Sequence, residues 1–188
     1  MLTLQQIINE VDTLVPNPFD VTKKVTWLNE LNKDFFEIVK IPVVYQFTTV
    51  SNQSDYTIPT EIKSQHIKRV LLKYTIYNSM QYEDANPGHN YWIVDDTTKS
   101  LTLNPTPSLT GDKVIVRYNK TSKATFLPSN LTVTPDAPEE YHWAFVLGLC
   151  ERVAQGLNDV TLANNYGSDY RSFLSIAQQN YNVVQSEG

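Results

Sequence analysis

The residues that most suggest chemistry lie in one segment, TPDAPEEYHWAFVLGLCERVA, at residues 134–154. It contains His142 and Cys150, the two residue types of a Cys–His nucleophilic pair. They are eight positions apart, about 12 Å along a helix, whereas such a pair must lie within about 3 Å. The apolar run predicts that Cys150 is an unreactive core thiol. His142, beside a helix start, is expected at the surface or in an interface.

Two groups of carboxylates are also expected to have structural roles. Asp136 is predicted to cap a helix, with Pro138 in its first turn and Glu139 at the capping-box position. Asp95-Asp96 lacks the other ligands of a calcium loop, so we expect a hairpin turn there. The histidines and the single cysteine have no zinc spacing. The sequence therefore predicts no catalytic residue, no metal site and no cofactor.

Composition and charge narrow the class of protein. A hydrophobic content of 41% and a charged content of 19% are typical of a globular domain. The net charge is −5, and residues 136–188 carry two basic and seven acidic side chains, which disfavours tight nucleic-acid binding there. The amino terminus lacks the pattern of a signal peptide, so we expect a soluble compartment, and no stretch approaches the ~18 apolar residues of a membrane span.

Apolar residues at helical spacing predict four helices, two at each end of the chain. Thr3 and Gln6 have the pattern of a capping box before the first helix. The third helix is apolar nearly all round, which indicates that other elements enclose it, and Gly148 favours a close helix crossing. The predicted helices cover residues 4–15, residues 21–39, a segment that opens at Pro138, and residues 160–184 approximately.

Between the helix pairs the pattern changes to the alternation of strands. Turn-forming clusters separate six segments rich in β-branched and aromatic residues: VVYQFTTV, DYTIP, HIKRVLLKY, YWIVDD, SLTLNP and DKVIVRYNK. We expect five to seven antiparallel strands, then a polar connection at residues 119–135. The predicted fold is α+β, mainly a bundle of four helices from residues 1–42 and 136–188. An antiparallel β domain with its connecting loop, residues 43–135, is inserted between them.

Short motifs follow one another along nearly the whole chain. They are Trp27-Leu28-Asn29, Tyr56-x-Ile58-Pro59, Leu101-x-Leu103-x-Pro105, Gly111 with Val114-x-Val116-x-Tyr118, and Ala137-Pro138-Glu139-Glu140-Tyr141-His142. With this order of helices, β insertion and helices, the chain resembles the bacteriophage head-to-tail connector (adaptor) proteins, which dock beneath the portal ring.

The resemblance implies a structural virion protein that is not an enzyme. Copies of the chain would form a ring, typically a dodecamer, that extends the channel of the portal protein. A tail, stopper or nozzle protein would bind beneath it. Double-stranded DNA would pass without specific binding, because an acidic helical lining repels it, and no membrane would be a partner. The protein would lie in the virion neck after assembly in the host cytoplasm.

Two groups of residues are candidates for contacts in such a ring. A ladder of tyrosines in the last helix either faces the core or packs on a neighbouring copy, where aromatic residues are favoured. The subunit-interface candidates are Tyr166, Tyr170, Tyr181 and Trp27. The resemblance implies that residues 178–188 reach the portal, with Gln178, Tyr181, Val184 and Gln185 as portal-contact candidates.

Two other functions are compatible with the sequence. The β-rich region, with Tyr91-Trp92, also suits a phage tail or baseplate module that recognises a cell-surface glycan. A helical DNA-binding packaging protein is the second alternative. It needs a basic patch, which the sequence lacks.

Overall fold

The computed structural model describes residues 1–80, 89–123 and 125–186, with side chains as far as residue 182. Four α-helices and seven strands occur in these ranges, so the fold is α+β, as predicted. The chain divides into two compact units. The helical unit comprises Met1–Ile41 and Thr121–Gly188, and the β unit comprises Pro42–Lys120.

All four predicted helices are present, and the third begins later than predicted. They are α1 (Leu4–Leu14), α2 (Val21–Val39), α3 (His142–Gly156) and α4 (Val160–Ser186). The predicted capping box is present, since the Gln6 amide donates to the Thr3 hydroxyl and the Gln6 side chain accepts from the Thr3 amide. Asp20 caps α2, and Lys40 ends it in a left-handed conformation, with φ of 54°.

The predicted start of the third helix is wrong. Asp136 does not cap it, because its carboxylate accepts hydrogen bonds from the Asn32 side chain at 3.0 Å and the Lys123 amide at 2.8 Å. Pro138 has an extended backbone, with ψ of 147°, and a 3-10 turn at Glu139–Tyr141 follows it. The α-helix therefore begins only at His142, and no side chain caps it.

Helix α3 is the central element of the helical unit. It packs against α1, α2 and α4, which explains why its apolar residues occur on every side. Gly148 makes a close contact with α2 and α4 possible: a Cβ there would lie 2.7 Å from a Leu31 methyl group and 3.2 Å from the Tyr170 ring. The prediction of a close crossing at Gly148 is thus confirmed.

The connection before α3 lies in the helical unit, although the sequence grouped it with the β region. Phe126 is buried in the helical core, and Leu131 and Val133 pack against it. The Leu4 amide donates to the Val133 carbonyl at 2.9 Å, and the Gln5 amide to the Leu131 carbonyl at 3.0 Å. The connection therefore supplies partners for amide groups at the start of α1, which have none within the helix.

The β unit contains one curled, mixed sheet. Its strands are β1 (Pro42–Thr48), β2 (Asp55–Thr57), β3 (Ile67–Leu72), β4 (Thr75–Ser79), β5 (Tyr91–Asp95), β6 (Ser100–Asn104) and β7 (Lys113–Asn119). The strand order is β1-β7-β3-β4-β5-β6-β2. The sheet curls so that the first and last strands of this order meet, and the rings of Phe47 and Tyr56 lie 4.8 Å apart.

Two features of the sheet differ from the prediction. Strand β4 was missed, because its only buried side chain is Tyr77 and a strand with one buried residue shows little apolar alternation. The expectation that all strands are antiparallel is also wrong, since β4 and β5 pair in parallel. Parallel neighbours need a longer connection than a hairpin, and residues 80–90 separate these two strands.

Gly148→Val is expected to lower the free energy of unfolding by about 1–3 kcal/mol, because it overfills the contact with Leu31 and Tyr170. Ser168→Val introduces the same side chain at an exposed position of α4 and should change stability by only a few tenths of a kcal/mol. Urea unfolding followed by circular dichroism measures both. Equal losses for the two variants would contradict the close packing at Gly148.

Candidate assembly site

His142 is a structural residue, and the expectation that it lies at the surface or in an interface is wrong. Its side chain is 2% exposed. Its Nδ1 accepts a hydrogen bond from the Leu2 amide at 3.1 Å, and its Nε2 lies 3.0 Å from the Ala137 carbonyl oxygen. Since a carbonyl oxygen can only accept, Nε2 carries the proton. Both ring nitrogens are therefore occupied, and neither is available as a general base.

Cys150 is buried in the same core, as predicted. Burial, with a smaller contribution from the charge of Glu10, raises the pKa of the Cys150 thiol from 9.0 to about 12. A nucleophilic cysteine needs the opposite shift, because the thiolate is the reactive form. The residues that suggested a catalytic pair thus hold α3 in place.

Asp95 and Asp96 lie at the hairpin turn between β5 and β6, as predicted. Asp95 ends β5, and hydrogen bonds from the Thr98 hydroxyl and the Thr97 and Thr98 amides lower the pKa of its carboxyl group. Partial burial raises the pKa of Asp96, but hydrogen bonds from Ser64 and Lys99 outweigh it, so the net shift is downward. Within the described ranges, no cluster of three or more His, Cys, Asp or Glu side chains could hold a metal ion.

Of the four interface candidates, three are partly exposed. Trp27 packs edge-on against Phe19, with ring centres 5.3 Å apart, and the Lys23 amine lies 5.0 Å from its ring centre. Tyr166 and Tyr181 are half-buried on α4. These aromatic side chains combine apolar area with a polar tip, which suits a protein–protein contact.

Tyr170, the fourth candidate, belongs to the core. It is 8% exposed, and its ring packs over Gly148. Its hydroxyl has no hydrogen-bond partner among the described residues, and burial raises the pKa of this hydroxyl. A change such as Tyr170→Asp would therefore report on folding instead of assembly. The core-facing interpretation of the tyrosine ladder holds for this residue.

The portal-contact candidates lie near the end of α4. Gln178 and Tyr181 are half-buried, and the rings of Tyr181 and Tyr141 have centres 6.2 Å apart. Val184 and Gln185 lie beyond the last described side chain, although the backbone of α4 continues to Ser186. The structure thus brings Gln178 and Tyr181 to one end of the helical unit.

Sequence reasoning missed several exposed apolar residues. Trp143, which seemed part of the enclosed apolar run, is 41% exposed and lines an open recess with Leu2 and Glu10. On α4, Val160 and Ile176 are also exposed. Helical spacing was the only sequence signal that could have placed these residues off the buried stripe. That signal is weak where neighbouring helix positions are also apolar.

A comparison with family models decides the class of this protein. The model described as SU10 adaptor protein matches residues 2–186. The chain belongs to this family. It is a structural adaptor protein of a bacteriophage, a virion component that interacts with other head or tail components, and the family is not known for enzymes. The resemblance to head-to-tail adaptors is thereby confirmed.

No curated protein matches the adaptor in sequence. Among the described helices, none is long and apolar enough to cross a membrane.

His142→Ala in the adaptor is expected to lower the free energy of unfolding by about 2–4 kcal/mol. The change leaves a cavity and removes the partners of the Leu2 amide and the Ala137 carbonyl. His66→Ala, at a half-exposed position, is the control and should cost much less. Denaturant unfolding measures both. An unchanged stability for His142→Ala would contradict the structural role.

Cys150 in the folded adaptor is expected to resist alkylation by iodoacetamide at pH 8 and to react fully in urea. The raised pKa favours the neutral thiol in the folded state. Between pH 9 and about 12 the thiol ionises in the unfolded chain but not in the folded chain, so the free energy of unfolding falls as pH rises through this range. Mass spectrometry of the labelled chain measures this protection. Rapid labelling without denaturant would contradict it.

Proposed function

We propose that copies of the adaptor form a ring beneath the portal, which joins the capsid to the tail and extends the DNA channel. The family match over residues 2–186 carries this proposal. In it, the helical unit acts as a bundle of four helices, with the β unit as an inserted domain. The ring, twelve copies by the resemblance, lies in the virion neck after assembly in the host cytoplasm.

The partly exposed aromatic residues support contacts between neighbouring copies. A ring needs a heterologous interface, in which one surface of a subunit binds a different surface of the next. Trp27, Tyr166 and Tyr181 are half-buried in the free chain and can lose their remaining exposed area to a neighbour. Tyr170 leaves this set, because its own chain already buries it.

The end of α4 supports contact with the portal. Gln178 and Tyr181 lie there, and Val184 and Gln185 follow in sequence. Residues 178–188 are mostly polar, and in this proposal they contact a groove on the portal ring. A tail, stopper or nozzle protein binds the opposite side of the ring.

The charge of the helical unit supports a channel through which DNA slides. Residues 1–41 and 121–188 together carry seven basic and thirteen acidic side chains, a net charge of −6. A lining of this sign repels phosphates and offers no cations to hold them. Double-stranded DNA therefore passes without specific binding.

The glycan-binding alternative loses its main support. Trp92 is buried in the core of the β unit, so Tyr91-Trp92 does not form an exposed aromatic platform. A flat exposed pair of rings is what would stack on a sugar, and the described part of the β unit offers none at this position.

The mass of the adaptor, measured alone and after mixing with portal rings, tests the proposed function. We expect a complex of one portal ring with a ring of adaptor copies. A chain that ends at Asn182 keeps the described core and should fold with an unchanged melting temperature, but it should bind the portal more weakly.

Two outcomes separate the parts of this proposal. An adaptor that never joins the portal would contradict the function itself. Normal portal binding by the chain that ends at Asn182 would contradict only the contact at the end of α4. Ser168→Asp, an exposed change on the same helix, controls for nonspecific effects on α4.

A further inference from the structure

One face of the sheet in the β unit is uncovered. Strands β1, β7, β3 and β4 are neighbours, and their inward side chains, such as Val70, Val116 and Tyr77, form the core. Because side chains alternate along a strand, the residues between them point away from this core. We call this side the outer sheet face, and it comprises Val44, Gln46, Thr48, Arg69, Leu71, Ile76, Lys113, Ile115 and Arg117.

The outer sheet face has an apolar row in its middle. Ile115 lies opposite Leu71, and Leu71 lies opposite Ile76. Ile76 is 48% exposed, and Val44 nearby is 51% exposed. Contiguous apolar area of this kind on a sheet typically marks a protein-binding surface.

Cations lie on both sides of the apolar row. Arg69 and Arg117 are directly opposite one another on adjacent antiparallel strands, and both are exposed. Lys113 lies on the other side of Ile115 and is exposed as well. Like charges in directly opposed positions destabilise a sheet. Neither arginine has an ion pair with any described residue.

No carboxylate among the described residues lies on the outer sheet face to balance these cations. Asp112, immediately before β7, pairs with Lys73 at 3.0 Å. Asp95 and Asp96 lie in the β5–β6 turn and are held by Thr98, Ser64 and Lys99. The face is therefore complementary to a surface that is both acidic and apolar.

The adaptor itself carries such a surface on α2. Glu30, Asp34 and Glu37 are spaced four and three residues apart, so they lie on one side of the helix, and all three are exposed. Exposed Ile38 adjoins them. Lys33 is the single cation in this half of α2. The Arg152 guanidinium of α3 lies 3.7 Å from the Asp34 carboxylate, and the Asp34 side chain stays 50% exposed. We call these three carboxylates with Ile38 the acidic stripe.

We propose that the outer sheet face of one adaptor copy binds the acidic stripe of α2 on the next copy. The pairing rests on the ring proposed above and names the two surfaces that meet in it. The face and the stripe are different surfaces of one chain, so the contact is heterologous and propagates around a ring. The neighbour's carboxylates reduce the repulsion between Arg69 and Arg117, and the neighbour's Ile38 packs against the apolar row.

Two charge-reversal variants test this pairing. Arg69→Glu/Arg117→Glu makes the sheet face repel the stripe, and Glu30→Lys/Asp34→Lys makes the stripe repel the face. Each variant alone should associate at least tenfold more weakly than the unaltered adaptor. An equimolar mixture should recover, because each altered surface then meets its opposite charge on the other variant. Sedimentation velocity of the free adaptor and the mass of portal complexes measure association.

Controls separate assembly from folding. Lys63→Glu reverses one positive charge, as Arg117→Glu does. Lys63 lies outside the outer sheet face, on the loop where Ser64 donates a hydrogen bond to Asp96. Lys63→Glu should leave association unchanged, whereas Arg117→Glu should weaken it. Arg69→Gln removes the like-charge pair and should keep or slightly raise the melting temperature. A purely structural arginine would lower it.

The outcomes distinguish this inference from the proposed function. Normal assembly by Arg69→Glu/Arg117→Glu would overturn the role of the sheet face. If the equimolar mixture does not recover association, the pairing of the sheet face with the acidic stripe is overturned. DNA or the portal protein would then be identified as the partner of the sheet face if the unaltered adaptor binds it and Arg69→Glu/Arg117→Glu does not. Self-association without portal binding would overturn only the proposed function. An adaptor that does neither would overturn both.

Discussion

The enclosure of α3 is the constraint on which the helical unit depends. Gly148 brings α3 into contact with Leu31 of α2 and Tyr170 of α4, and His142 ties its first turn to the amide of Leu2. A helix that is apolar on every side is stable only when neighbours cover it. For that reason His142 and Cys150, which resemble a catalytic pair, belong to the core that holds the four helices together. The residues that could bind other proteins lie on the surface.

The elements with strong local signals could be predicted from sequence. Thr3 with Gln6 and Asp20 with Lys23 are contacts within one turn, so residue spacing alone specifies α1 and α2. Asp136 has the same local signal, but tertiary partners, Asn32 and the Lys123 amide, take its carboxylate. The sequence does not show whether a carboxylate accepts from the helix that follows it or from donors distant in sequence.

The surfaces were harder to predict than the core. The cations of the outer sheet face come from positions 69, 113 and 117, and only the pairing of β3 with β7 brings Arg69 opposite Arg117. Reading along the chain therefore gave no basic patch. The prediction for His142 was wrong for a similar reason, since its burial depends on the segment around Leu2, which is 140 residues away in sequence.

The central claim is that the adaptor's side chains fold and stack copies around a channel and do not transform a substrate. Cryo-electron microscopy of isolated virion necks tests it most directly. The account predicts a closed ring of this chain directly beneath the portal, with the carboxylates of residues 136–188 facing DNA. Density for the chain at another position, such as the tip of a fibre, or as isolated single copies, would contradict it.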